Sequence, residues 1–307
     1  MGAGHAHSHS TPTATGQHRK ALAGVLAISA VIFVIEVVGA VVTGSLALLA
    51  DAGHVLADAG GVALALGAAL LAARPATPRR TFGWARAEIL AAAVNGLVLT
   101  AMGVYVLIEG VRRLFEPSDV HPGGMALFAV VGLVGNAIGI ALLFRARNDS
   151  LNMRGAFLEV ATDTATSVGV ITAAGVIAWT GFTQADAIVS IIIGAVIVPR
   201  ALRLLREAAN VLLQAVPEGM DLEEVRRHIL ELDHVVGVHD LHAYTVTSGL
   251  PVLSAHVVVE DGCFRDGHAP QLLDQLQEGI KGRFDVEHST FQLEPPGHSG
   301  HEPRTHA

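Results

Sequence analysis

The 307-residue chain has one cysteine, Cys263, so no intramolecular disulfide can staple it. It is poor in charge: Asp, Glu, Lys and Arg make up only 16% of it, too little to clothe a wholly soluble protein of this size. It lacks a basic excess, and a formal net charge of −8 argues against a nucleic-acid partner. Residues 1–20 are polar, with no apolar segment behind a basic start, so no cleavable signal is expected. What fills the chain instead is apolar: 51% hydrophobic residues and a mean hydropathy of +0.50. Much of it therefore faces lipid rather than water.

The organising stretch is SLALLADAGHVLADAGGVA, residues 45–63. The apolar run that contains it continues to Ala73, enough for the roughly 20 residues that span a bilayer. Asp51, His54 and Asp58 interrupt it. On a helix, positions 54 and 58 lie one turn apart on one face, with 51 nearly aligned. A charge at the bilayer centre costs about 2.5–3.5 kcal/mol on the insertion scale, so such residues imply a use. Imidazole and carboxylate on one face make half of a metal site. Glu159 and Asp163 repeat the four-residue spacing in a second apolar stretch, GAFLEVATDTATSVGVITAAG. Two such helices supply four ligands, enough for a tetrahedral divalent cation. A lone polar residue would be read as packing glue between helices; two matched pairs favour the ion.

Six spans are expected. The first runs from Ala21 to Gly44, broken by Glu36, and turns through Thr43-Gly44-Ser45 into the second. A basic, proline-containing loop follows at 74–86, then spans at about 88–114, 124–144, 155–181 and 187–205, with Pro199 a kink near the end of the sixth. Arg74, Arg79, Arg80 and Arg86, then Arg145, Arg147 and Arg154, lie in loops on the same side as the termini. The opposite side has Arg112 and Arg113, so the positive-inside rule places both termini in the cytoplasm. Glu36, Asn95, Glu109 and Asn136 are read as packing or pathway groups rather than ligands. Asp51, one turn outward of His54, either relays ions or accepts a hydrogen bond at the helix end.

Beyond Asn210 the pattern changes. DLEEVRRHILELD carries Asp221 as an N-cap, Glu224 three residues later, and an apolar face of Leu222, Val225, Ile229 and Leu232. VVGVHDLHAYTV and VLSAHVVV read as strands, APQLLDQLQEGIKGRF as an amphipathic helix and VEHSTFQLE as a third strand. The order αββαβ predicts a small two-layer, ferredoxin-like α+β domain. Four segments result: a His-containing disordered tail at 1–20, a six-helix transmembrane transport domain at 21–206, an α+β domain at 210–296, and a His-containing disordered tail at 297–307. The tails read as leaders or weak metal-collecting arms.

GSLALLADAGHVLAD, TFGWARAEILAA, LNMRGAFLEVATD, HDLHAY and HSTFQLE, in this order, resemble the cation diffusion facilitator family, in particular its bacterial cobalt–zinc–cadmium resistance branch. The resemblance covers nearly all of residues 20–296. It implies a homodimer of six-helix protomers in the cell membrane that exports divalent metal from the cytoplasm in exchange for protons. It also implies a transport site formed by His54, Asp58, Glu159 and Asp163. Zinc-specific members usually carry histidine where this chain has Glu159, which makes the site harder and more anionic; zinc stays first, with cobalt and cadmium open. The family often binds further metal in its cytoplasmic domain, and the candidates here are His239, His256, Cys263, His268, His288 and Glu294. His239 and His256 match the family's histidines best.

Three ionised carboxylates beside a neutral imidazole would repel one another, so the empty site should hold a proton that metal binding expels. Two rivals remain. An intramembrane metalloenzyme would need a general base and an open coordination position, and no H-E-x-x-H pattern is present. A membrane-anchored metal sensor would leave the intramembrane charges without a purpose.

Overall fold

The computed structural model describes residues 16–144 and 151–301. The expected disorder of residues 1–15 and 302–307, and the Arg145 and Arg147 loop, lie outside these. The chain forms α1 (Gly16–Thr43), α2 (Leu46–Ala72), α3 (Ala87–Phe115), α4 (Pro122–Phe144), α5 (Leu151–Thr180) and α6 (Gln184–Leu212). There follow α7 (Leu222–Leu230), β1 (Val235–Thr245), β2 (Pro251–Val259), α8 (Ala269–Phe284) and β3 (His288–Glu294). Among the described residues, six helices are long and apolar enough to cross a membrane. Their outward side chains, such as Val41, Leu70, Ile108 and Leu127, are exposed and aliphatic, as lipid requires.

Two boundaries differ from expectation. Helix α1 begins at Gly16, inside the segment read as an unstructured tail, because Gln17, Arg19, Lys20, Ala21, Leu22 and Ala23 are good helix formers that extend the span backwards. Helix α6 continues to Leu212 with Pro199 inside it. A proline removes one backbone donor, and the rest of the i→i−4 ladder carries the helix past it.

Two compact units divide the chain. The first takes residues up to 63 and 95–203; the second takes 64–94 and 204 onward. In the first, α4 packs against both α1 and α5. Small residues let these helices approach. A Cβ on Gly39 would lie 2.5 Å from the Phe128 ring, and one on Gly132 would lie 2.5 Å from Glu36 Oε1. The α1–α2 turn passes through Gly44 at φ +72°, a left-handed conformation that favours glycine.

In the second unit, β1 and β2 pair antiparallel and β3 joins β2 in parallel, giving sheet order β1-β2-β3. Leu253, Ala255, Val257 and Val259 of β2 alternate into a core with Val225 and Ile229 of α7 and Leu272, Leu276 and Ile280 of α8. The intervening residues face the other way, by the period of two of a strand. Asp221 caps α7 by accepting from the Glu223 N–H at 2.9 Å. Glu224 does not close the expected capping box; its Oε1 accepts from Arg283 of α8 at 2.8 Å, tying the two helices together.

Candidate metal centre

Within the first unit, His54 sits on α2 and Asp163 on α5, both buried. His54 Nε2 and Asp163 Oδ1 stand 3.2 Å apart. Donor atoms about 2.0–2.2 Å from a tetrahedral zinc are separated from one another by roughly 3.3–3.6 Å. The pair is thus close to ligand spacing across two helices. Glu159, one turn before Asp163 on α5, meets Arg200 of α6, with Oε1 3.2 Å from Nη2. Asp58 lies on α2 one turn after His54, and its side chain is outside the described residues.

Asp51 has a definite environment. Its Oδ1 accepts from Thr166 Oγ1 and its Oδ2 from Ser167 Oγ at 3.2 Å, both on α5. Asn136 of α4 donates to Ser167 Oγ at 3.4 Å. Asn95 of α3 donates to the Ala57 carbonyl of α2 at 3.2 Å, and Glu109 pairs with Arg113 on its own helix at 3.0 Å.

Two residues that position this site were not found from the sequence. Arg200 is the first; it balances the charge of Glu159. The second is Asp186, fully buried at the start of α6. Its carboxylate accepts from Ser45 Oγ at 2.6 Å, Leu46 N at 2.8 Å and Ala47 N at 3.1 Å, with Arg113 Nη1 3.8 Å away. An anion there satisfies two of the orphan amides at the N-terminus of α2 and complements its dipole. The only local signal was an acidic residue at the mouth of a membrane helix.

The second unit builds another centre on the sheet face turned away from α7 and α8. His239 of β1 and His256 of β2 are register partners, and Glu294 of β3 pairs with Val258, two residues further on. Residues two apart along a strand share a face, so all three converge. Glu294 Oε1 lies 2.7 Å from His256 Nδ1 and Oε2 lies 3.1 Å from His239 Nε2. One ligand atom from each falls within 4.8 Å of the others. Asp240, at φ +51° in the β1 irregularity, approaches His256 Nε2 at 3.8 Å and His242 Nε2 at 3.1 Å.

The other sequence candidates are not brought to this cluster. Cys263 is buried in the hydrophobic core beside α8, and burial pushes its thiol pKa up. His268 pairs with Asp266 at 3.1 Å and its ring faces that of His234. His234 in turn bonds Glu260, which raises its pKa, while the His268 N–H holds the Asp266 carboxyl below its ordinary value. His288 is exposed at the start of β3, edge-on to Phe82. Their chemistry suited a metal; their strand and loop positions point them elsewhere.

Comparison with known proteins divides the chain between residues 213 and 217. Residues 22–213 match the cation efflux transmembrane domain and residues 217–296 the cation efflux protein cytoplasmic domain. The chain is 41% identical over 294 residues to the metal cation efflux system protein CzcD of Cupriavidus metallidurans, covering 96% of this chain and 90% of that one. It is 38% identical over 293 residues to the zinc transporter ZitB of Escherichia coli, covering 94% and 92%. It is 33% identical over 298 residues to a cadmium, cobalt and zinc/H(+)-K(+) antiporter of Bacillus velezensis, covering 96% and 93%. Six membrane-length helices, the αββαβ domain and both domain matches lead to one conclusion: the chain belongs to the cation efflux family, as a multi-pass membrane transporter, not an enzyme, with its C-terminal domain in the cytoplasm.

Proposed function

We propose that this protein exports divalent metal ions from the cytoplasm across the cell membrane in exchange for protons. Zinc is the first substrate, with cobalt and cadmium also carried. The observation that carries the reading is the buried His54–Asp163 pair, 3.2 Å apart across α2 and α5. Asp58 and Glu159 complete the four-ligand transport site. The relatives named for zinc, cobalt and cadmium support the choice of ions, and the relative named as an antiporter supports exchange.

The chemistry follows from charge. Three carboxylates beside a neutral imidazole make an anionic hole in a low-dielectric slab, which disfavours the empty, fully ionised state. The Arg200 guanidinium, 3.2 Å from Glu159 Oε1, offsets the charge of that carboxylate. A divalent ion supplies that compensation itself, so Glu159 exchanges its arginine for the metal on loading. Alternating exposure of the site to the two faces then moves the ion outward. In the cytoplasmic domain, His239, His256 and Glu294 form a second centre for the same class of ion. The active unit is a homodimer, as the resemblance implies.

Reconstituted vesicles with an internal metal reporter provide the test. Zinc uptake should rise when the lumen is acidified, and Asp58→Ala and Asp163→Ala should each abolish it with the dimer intact. Near-normal flux in either variant would place the transport site elsewhere.

A further inference from the structure

Glu36 of α1 is fully buried, and neither of its carboxylate oxygens meets a hydrogen-bond donor. The carboxylate of Asp51, fully buried on α2, lies within hydrogen-bonding reach of it. The surroundings are built from four helices. Thr166 and Ser167 of α5 donate to Asp51, Asn136 of α4 donates to Ser167, and Gly132 of α4 leaves the space that Glu36 Oε1 occupies. A buried carboxylate without a donor is costly, and two ionised carboxylates in contact repel as well. One shared proton removes both penalties: a Glu36 O–H donates to the Asp51 carboxylate, whose other bonds come from α5.

We propose that Glu36 and Asp51 are the proton-carrying station of the exchange, a site distinct from the metal ligands and placed on their outward side. The inference rests on the exchange reading above. The placement follows from topology. Helix α6 leads into the cytoplasmic domain, so with six spans α2 begins at the outer face, and Asp51 precedes His54 along it. Glu36 falls in the outer part of α1. A proton entering from outside meets this pair before it reaches His54.

The charged groups acting on Glu36 are Asp51 from α2 and Asp163 from α5; His54 acts on Asp51; α4 presents the uncharged Asn136. This arrangement couples the two cations. Loading the pair with a proton removes negative charge beside His54 and Asp163 and weakens their hold on a divalent ion, which leaves outward. Metal binding from the cytoplasm adds positive charge beside the pair and releases the proton. By linkage each cation lowers the affinity for the other.

The test uses the full-length protein with Glu36→Gln, which keeps the shape and removes the titration. Vesicles report zinc uptake with and without an acidic lumen, and zinc-for-zinc exchange at equal pH on both sides is the control that a collapsed fold would fail. Infrared difference spectra report the carbonyl stretch of a protonated carboxylic acid in the metal-free protein. The expected result is loss of the acid-lumen acceleration and of that band, with zinc-for-zinc exchange persisting. Asp51→Asn should shift the same band, since it replaces the acceptor. Retained acceleration in Glu36→Gln, loss of exchange together with acceleration, or an unchanged band would each overturn the proposal. If wild-type protein shows no acceleration, the exchange reading itself fails, and the band alone then judges the shared proton.

Discussion

Replacing Asp186 by alanine is expected to loosen the helix that carries half of the transport site. Its carboxylate is fully buried and accepts from the backbone N–H groups of Leu46 and Ala47 and from Ser45 Oγ. Alanine leaves two backbone donors and a hydroxyl unsatisfied where water is scarce. Each buried donor left unpaired costs about 1–3 kcal/mol, so the two amides together cost about 2–6 kcal/mol. Arg113, 3.8 Å from Asp186, keeps its bond to the Gly44 carbonyl at 2.6 Å and so moderates the loss. An asparagine side chain would retain one acceptor oxygen, and Asp186→Asn should therefore lie between wild type and alanine. Denaturant unfolding of the purified protein in detergent measures this directly. Ser45→Ala provides the control, because the two residues share one bond and their effects should not add. Wild-type stability in Asp186→Ala would refute the capping argument. So would equal losses in the alanine and asparagine variants, since they would show that the remaining oxygen holds nothing.

Glu159→Gln should lower zinc flux by roughly tenfold or more, the scale at which altered metal surroundings are felt, while Glu159→His should retain zinc flux and lose tolerance for harder ions such as manganese. Unchanged flux and ion preference in the glutamine variant would leave Glu159 as a partner of Arg200 only. Glu294→Gln, made in an Asp163→Ala background so that the transport site is silent, should weaken zinc binding by the cytoplasmic domain at least roughly tenfold in competition with a chromophoric chelator. Equal affinity would remove Glu294 from that centre. Cys263, buried with its thiol pKa pushed up, should alkylate slowly in the folded protein and rapidly in denaturant; fast labelling under native conditions would show that it is not in the core.

The sequence by itself determined the features that depend on near neighbours. Apolar runs longer than a bilayer is thick announce six helices, because lipid offers no partner for an open backbone. The αββαβ order followed from apolar periodicity and from Asp221 at a helix start. His54 with Asp58, and Glu159 with Asp163, stand out because four residues make one helical turn. Tertiary structure decided what these groups meet. Asp186 reaches the start of α2 from about 140 residues away in the chain, Arg200 reaches Glu159 from another helix, and Glu36 reaches Asp51 across α1 and α2. No spacing rule relates such pairs, since helix packing and not chain distance brings them together. The cytoplasmic histidines illustrate the same division. His239, His256, His268 and His288 are all metal-ligand types in sequence, and only the resemblance favours the first two. Strand register aligns the first two above Glu294, while His268 at the mouth of α8 and His288 at the first position of β3 are directed to other neighbours.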